Sequence, residues 1–311
     1  MSQVIEAVDY RLWQSDPGGF ASRLGASFQR YGFAVVDHHS LPDALIRSCL
    51  DGFKAFFSRP ESDKLRYRVP GGGGARGYTP FGVEAAKGAE LHDLKEFWHV
   101  GRELPAGDRY RAWMPDNLWP DGLPGFREDL LGLWESFDHL GRELLSAIAL
   151  HLGLPARWFD TATVRGNSIL RVIHYPPVAA GAVGVRAGAH EDINAITLLL
   201  GAEEAGLQVL DRDGQWLDIN PPPGALVCNI GDMLQRLTNH VLPSTTHRVV
   251  NPTPERASHA RFSMPFFLHF NPDFEIRSLP GCVSESRPDR YQKSITANEY
   301  LQERLREIRL L

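Results

Sequence analysis

Apolar residues recur at helical spacing through much of the first half of the chain and change to short runs in the second. Phe20, Leu24 and Phe28 mark one helix face; Tyr31-Gly32 interrupts it, and 33–36 is a short apolar strand. Leu45, Ile46, Cys49, Leu50, Phe53, Phe56 and Phe57 form a wide apolar stripe that ends before Pro60. A longer helix is predicted from Leu130, Leu133, Trp134, Phe137, Leu144, Leu145 and Ile148, ending at Gly153. Such stripes are core faces. Between them, Gly71 to Gly74 and the weakly periodic stretch as far as about Lys95 read as a mobile loop. No Gly-Lys-Ser/Thr follows the glycines, so they are not a phosphate loop.

From about Ile169 the pattern becomes short strands at close spacing: 169–175, 196–200, 207–210, 216–219, 225–230 and 261–270. Asp213-Gly214 is a hairpin turn signal, and Pro221-Pro222-Pro223-Gly224 breaks the chain before the next strand. Many short strands with tight turns predict a mainly β sandwich, barrel or jelly roll with flanking α-helices. At the end, Thr296 and Glu299 form a capping box ahead of an amphipathic helix carrying Leu301, Leu305 and Ile308.

Composition narrows the function. At 311 residues, with 43% hydrophobic and 23% charged positions, the chain has enough apolar material for a sizeable core, which excludes a disordered or fibrous protein. Lys+Arg 33 against Asp+Glu 38 leaves a net charge of -5, without the basic excess that nucleic acid or an anionic membrane requires, so a small-molecule partner is expected. Cys49, Cys228 and Cys282 are widely separated and form no Cys-x-x-Cys, which excludes a thiolate zinc site and points to a reducing, cytoplasmic setting. Glu6, Asp9 and Asp16 break up the first twenty residues, and no apolar run reaches membrane-spanning length; the reading is a soluble protein that is not exported. Oligomeric state is left open.

The chemistry concentrates in Ala189-His190-Glu191-Asp192. In extended backbone His190 and Asp192 share a face and Glu191 points away. A third ligand comes from His247 in Ser244-Thr245-Thr246-His247-Arg248-Val249, with enough chain between for several strands to return it to the same place. Two imidazoles and one carboxylate on one side of a metal make the facial triad of non-haem Fe(II) oxygenases, with open positions opposite. Downstream, Arg261 and Ser263 alternate to one face of their strand while Phe262, Met264 and Phe266 take the other, and a guanidinium with a hydroxyl suits a carboxylate.

The chain resembles the isopenicillin N synthase-like family of Fe(II)- and 2-oxoglutarate-dependent oxygenases over most of its length. The resemblance lies in His190-Glu191-Asp192, Gly206-Leu207-Gln208-Val209, Asn229-Ile230-Gly231-Asp232, the His247 segment and Arg261-Phe262-Ser263, and in Tyr31-Gly32-Phe33, Phe56-Phe57, Arg76-Gly77-Tyr78 and Asp93-Leu94-Lys95-Glu96. It implies a distorted double-stranded β-helix (jelly roll) core, with His190, Asp192 and His247 binding Fe(II) and Arg261 and Ser263 binding the distal carboxylate of 2-oxoglutarate. Tyr175 would donate a hydrogen bond to the same co-substrate. Where many members have Asn-x-Tyr this chain has Ile173 in the Asn position, implying a drier pocket. The implied reaction couples oxidative decarboxylation of 2-oxoglutarate by dioxygen to hydroxylation, desaturation or ring closure of a small organic substrate. The expected organisation is a mainly helical region at 1–155, the oxygenase jelly roll at 156–285 and a C-terminal helix at 286–311, integrated as one unit.

Several rivals stand beside these assignments. Arg256-Ala257-Ser258 also reads Arg-x-Ser, but a Pro-rich turn precedes it whereas Arg261 opens a strand. His240 and His259 are read as polar residues outside the metal face, and His174 as opposite to Ile173 and Tyr175. Asp93, Lys95 and Glu96 are read as a salt-bridged helix edge with no catalytic role, while Tyr78 and Phe81 either line the substrate pocket or pack under a loop. At the level of function, an Fe(II) oxidase without 2-oxoglutarate, a zinc hydrolase on the same ligands and a jelly-roll binding module remain open.

Overall fold

The computed structural model describes residues 5–70, 74–84, 92–178, 184–200, 206–253 and 257–307. In chain order the strands are β1 (Ala7–Asp9), β2 (Phe33–Asp37), β3 (Gly77–Thr79), β4 (Glu96–Gly101), β5 (Ile169–Tyr175), β6 (Ala187–His190), β7 (Ile196–Leu200), β8 (Leu207–Leu210), β9 (Trp216–Asp218), β10 (Leu226–Ile230), β11 (His247–Val249) and β12 (Arg261–Leu268). Eight of them form one sheet in the order β1-β2-β10-β7-β12-β5-β4-β3, and four form a second in the order β6-β11-β8-β9. Every pairing is antiparallel except β1 with β2. A separate ribbon pairs Glu275–Ile276 with Ile295–Thr296. Two facing sheets with crossing connections are the distorted double-stranded β-helix that the motifs implied.

The large sheet has two different faces because its strands alternate. Outward residues Trp98, Leu170, Val172, Leu198, Cys228, Met264, Phe266 and Leu268 join the main core under the helices. Helix Phe126–His151 lies along that face, and its Gly141 permits contact: a Cβ there would stand 2.5 Å from Leu268 Cδ1. Helices Pro17–Tyr31 and Asp43–Phe57 complete the layer with Phe20, Leu24, Phe28, Phe53 and Phe56. The first of these starts where Asp16 accepts from Gly19 N at 2.9 Å and stops at Gly32, whose φ of 71° ends the helix and aims the chain into β2. Inward residues Phe33, Val35 and Val227 meet Ala187, Leu207, Val209 and Val249 of the small sheet, which closes one end of the roll with a second apolar cluster. The other end holds polar side chains.

The predicted helices and the strands of the second half are present, including the hairpin at Gly214 and the capping box, in which Glu299 N donates to Thr296 Oγ1 at 3.2 Å and Thr296 N to Glu299 Oε2 at 2.9 Å. Ile308 of the last stripe lies outside the described residues. The first half is less helical than expected: the strand foreseen at 33–36 is present as β2, and β1, β3 and β4 are additional. It contributes β1 and β2 to one flank of the large sheet and β3 and β4 to the other. Tyr78 is buried in β3 and so does not belong to a loop; Gly71 to Gly73 lie outside the described residues. Asp93, Lys95 and Glu96 are not a helix edge but run into β4, all buried. Along this stretch Lys95, Phe97 and His99 face inward while Glu96, Trp98 and Val100 face outward, so both faces mix polar and apolar residues and the alternation is hidden. Glu96 is held on the outer side by Lys64 at 2.7 Å, His174 at 2.8 Å and Tyr78 at 2.5 Å.

Candidate metal centre

The β6–β11 pair sets His247 opposite His190 in register and brings the two rings to 4.4 Å between centroids. Asp192 follows just beyond the end of β6. Its Oδ1 is 3.8 Å from His190 Nε2 and 3.9 Å from His247 Nε2, and one ligand atom from each of the three residues lies within 4.8 Å of the others. Nδ1 of His190 is 2.8 Å from the Gly188 carbonyl and Nδ1 of His247 is 3.1 Å from that of Thr245. A carbonyl only accepts, so each ring carries a proton on Nδ1 and turns Nε2 toward the carboxylate. The set offers two imidazole nitrogens and one carboxylate oxygen converging within 4.8 Å, which fits a divalent first-row metal.

Buried polar residues on the large sheet fix the carboxylate. Thr197 Oγ1 donates to Asp192 Oδ2 at 2.5 Å and Asn229 Nδ2 donates to the same oxygen at 2.8 Å, leaving Oδ1 for the centre. Burial alone would raise the Asp192 pKa, but the two imidazoles and these hydrogen bonds outweigh it and hold the carboxyl below its usual value. Burial, reinforced by His247, brings His190 down to about 4, so its ring is neutral near pH 7. Phe33 of β2 supports His247 edge-on at 5.3 Å. Thr197 and Asn229 received no role from sequence, although a threonine in Ile-Thr-Leu-Leu-Leu and an asparagine in Leu-Val-Cys-Asn-Ile are lone polar residues in apolar strands, which burial obliges to find partners. Asn229→Ala is expected to weaken Fe(II) binding about 10–100-fold by chelator competition while leaving the fold intact. An affinity within twofold of the parent would contradict this role.

Arg261 and Ser263 lie on the inward face of β12, both buried, with Arg261 Nη1 3.3 Å from Ser263 Oγ. Arg261 pairs in register with Tyr175, and its Cζ stands 4.9 Å from that ring's centre. Ile173 packs with Phe97 and Tyr175, making an apolar wall beside the guanidinium. A further buried arginine, Arg186, lies against the same tyrosine, its Cζ 5.9 Å from the ring and its Nη2 3.1 Å from the His259 carbonyl. Of the rivals, Arg256 lies outside the described residues and Ser258 is exposed. His240 stacks on Tyr291, and His174 faces outward between Phe57 and Phe262. Glu191 is exposed and accepts from Thr246.

Beside the β5–β12 pair the inward face continues in polar side chains. Lys95 Nζ lies 2.7 Å from Glu84 and 2.8 Å from Asp93, and Asp93 Oδ1 accepts from Gly188 N at 2.9 Å, tying this cluster to the strand that carries His190. Arg171 of β5 reaches Glu84 at 3.1 Å. Burial disfavours both charges, yet Arg171 and Lys95 hold Glu84 far below the normal carboxylate range, and the two carboxylates raise Lys95.

A jelly roll carrying two histidines and an aspartate at one end defines a class of metal-dependent oxygenases, and the comparisons with known proteins agree. Residues 166–270 match the 2OG-Fe(II) oxygenase superfamily, and residues 5–122 match the family described as non-haem dioxygenase in morphine synthesis N-terminal. A 2-oxoglutarate-Fe(II) type oxidoreductase, hxnY of Emericella nidulans, is 33% identical over 84% of this chain and 76% of its own length. A 2OG-Fe(II) oxygenase family protein from Caulobacter crescentus is 57% identical with a TM-score of 0.93, covering 99% of this chain and 100% of that one. A full-length protein of Neurospora crassa, solved in complex with alpha-KG and thymine, is 29% identical with a TM-score of 0.86 over 97% of this chain and 96% of that one.

The chain belongs to the 2OG-Fe(II) oxygenase superfamily, and the resemblance to its isopenicillin N synthase-like members holds. It is an Fe(II)- and 2-oxoglutarate-dependent dioxygenase. The zinc-hydrolase and binding-module alternatives fall with that result. Among the described residues no helix is long and apolar enough to cross a membrane.

Proposed function

We propose that His190, Asp192 and His247 hold the Fe(II), that Arg261 and Ser263 hold the distal carboxylate of 2-oxoglutarate with Tyr175 beside them, and that the oxidised partner is a small organic molecule. The observation that carries this reading is the convergence of three ligand atoms within 4.8 Å at the polar end of the roll. When bound, the metal with dioxygen and the keto acid supplies the oxidising power. The protein side chains do the rest. Thr197 and Asn229 hold Asp192 with one oxygen turned to the centre, and the Gly188 and Thr245 carbonyls keep both imidazoles in the tautomer that exposes Nε2. Arg261 neutralises the far carboxylate where Ile173, Phe97 and Tyr175 exclude water, which strengthens the charge-assisted pair.

The three regions act as one unit in this reading, supported by the pairing of β1 to β4 into the large sheet and by Arg304 of the last helix lying 3.1 Å from Asp232, whose backbone N donates to the Asp192 carbonyl. The buried free thiols Cys49, Cys228 and Cys282 suit work in the reducing cytoplasm. The test is anaerobic titration of Fe(II) and then 2-oxoglutarate into metal-free protein. A weak visible charge-transfer band saturating at one equivalent of each is expected. Iron binding without a band would overturn the co-substrate assignment, and absence of iron binding would overturn the ligand set.

A further inference from the structure

The inward face of the large sheet carries another arginine that neither the metal ligands nor the carboxylate pair uses. Arg171 stands four residues before Tyr175 on β5, so it points the same way, and its register partner is His99 on β4. Its guanidinium is packed by two aromatic rings, Phe97 with 4.1 Å from Cζ to the ring centre and Phe267 with 5.2 Å. Nε donates to His99 Nε2 at 2.5 Å and Nη1 to Glu84 Oε1 at 3.1 Å. His99 Nδ1 is 2.5 Å from the Gly74 carbonyl, so it carries the proton and Nε2 can only accept. The histidine therefore acts as a fixed neutral support that orients the guanidinium. Nη2 has no acceptor among the described residues, and the Arg171 side chain keeps 17% of its surface open.

This open group lies toward the metal end of the inward face. Phe267 pairs in register with Thr197, and the Thr197 hydroxyl touches Asp192, so Arg171, Phe267, Thr197 and Asp192 succeed one another across the sheet. Along β5, Arg171 is two residues from Ile169, the register partner of Phe267, and four from Tyr175, the register partner of Arg261, about 13 Å at the rise of an extended strand. A molecule presenting an oxygen to Arg171 would thus lie nearer the metal face than the co-substrate anchor.

The local charges close without a ligand. Arg171 and Lys95 are matched by Glu84 and Asp93. A carboxylate placed on Nη2 would add an unmatched negative charge next to Glu84, and an ammonium would face the guanidinium. An uncharged carbonyl oxygen accepts from Nη2 and leaves the balance intact. We propose that Arg171 anchors the prime substrate and that this substrate is an uncharged molecule bearing a carbonyl oxygen, such as an amide or lactam. The proposal rests on the assignment of the metal and co-substrate residues above.

Three probes of one shape and different charge test it: benzamide, benzoate and benzylamine, each titrated anaerobically into the Fe(II)·2-oxoglutarate protein while the visible band is followed. Benzamide is expected to perturb the band saturably, with the charged probes at least ~10-fold weaker. Arg171→Met should raise the benzamide half-saturation about 10–100-fold, the loss of one hydrogen bond to a charged donor, and leave that of 2-oxoglutarate within about twofold. Arg171→Lys keeps the charge against Glu84 and so controls for folding; lacking the planar fork, it should fall between. Tighter binding of benzoate than of benzamide would overturn the substrate class. A matching loss of 2-oxoglutarate affinity would move Arg171 to the co-substrate pocket, and no response to any probe in protein that forms the band would remove the subsite. Failure of the band itself would count against the underlying site assignment instead.

Discussion

Replacing Asp192 with alanine abolishes stoichiometric Fe(II) binding and lowers succinate formation from 2-oxoglutarate at least ~1000-fold, beyond the 10–100-fold typical of residues that only orient a ligand. The reason is electrostatic as well as geometric. Asp192 is the anionic member of the set, and its Oδ1 is the atom to which both Nε2 groups point. The substitution also strands the buried Asn229 amide, at a cost of roughly 1–3 kcal/mol, and leaves Thr197 only Asn194 as a partner, so the melting temperature must be read alongside. Asp192→Asn separates the two effects, since an amide oxygen can still accept from Thr197 and Asn229 while the charge is gone. We expect it to fold like the parent and still fail to hold iron in metal analysis. Parent-like iron content in either variant would sink the assignment.

Arg261→Met raises the half-saturating concentration of 2-oxoglutarate about 100-fold and leaves Fe(II) affinity unchanged. That figure follows from losing a charge-assisted pair in a buried setting, roughly 3 kcal/mol. The two variants are therefore expected to fail in separable ways, one losing the metal and the other the keto acid. Steady-state kinetics over a wide 2-oxoglutarate range, with iron content measured in the same samples, distinguishes them. If Arg261→Met keeps the parent value, the carboxylate is held elsewhere, and Arg186, the other guanidinium against Tyr175, becomes the one to replace next.

The features legible in the sequence are those written in neighbouring residues. Helix Asp43–Phe57 announces itself through Cys49, Phe53, Phe56 and Phe57 on one stripe, and β7 and β8 through short apolar runs between turn residues. His190 and Asp192 stand out because two potential ligands lie two positions apart, and Arg261 with Ser263 for the same reason. What stayed hidden was written across the sheet. β4 places Glu96 against Lys64 on its outer side and His99 against Arg171 on its inner side, so neither face reads as a core strand. Arg171, Glu84 and Lys95 meet only because β5 lies beside β4, which nothing local in the sequence dictates. Thr197 and Asn229 lie between these cases. Their strands were identifiable, but the carboxylate they share comes from a third segment.

The position of β2 bears on how the protein is made. It is sandwiched between β1 and β10, and its Phe33 supports His247, yet about 190 residues of chain separate it from its partner strand at Leu226–Ile230. At synthesis rates of about 5–20 residues per second, an apolar Phe-Ala-Val-Val segment leaves the ribosome roughly 10–40 s before the strand that will cover it exists. During that interval it offers unpaired backbone groups to any other nascent strand nearby. Yield in cells should accordingly depend on chaperones that occupy early chain segments, and slowing translation should lower the soluble fraction while leaving the refolded enzyme unchanged.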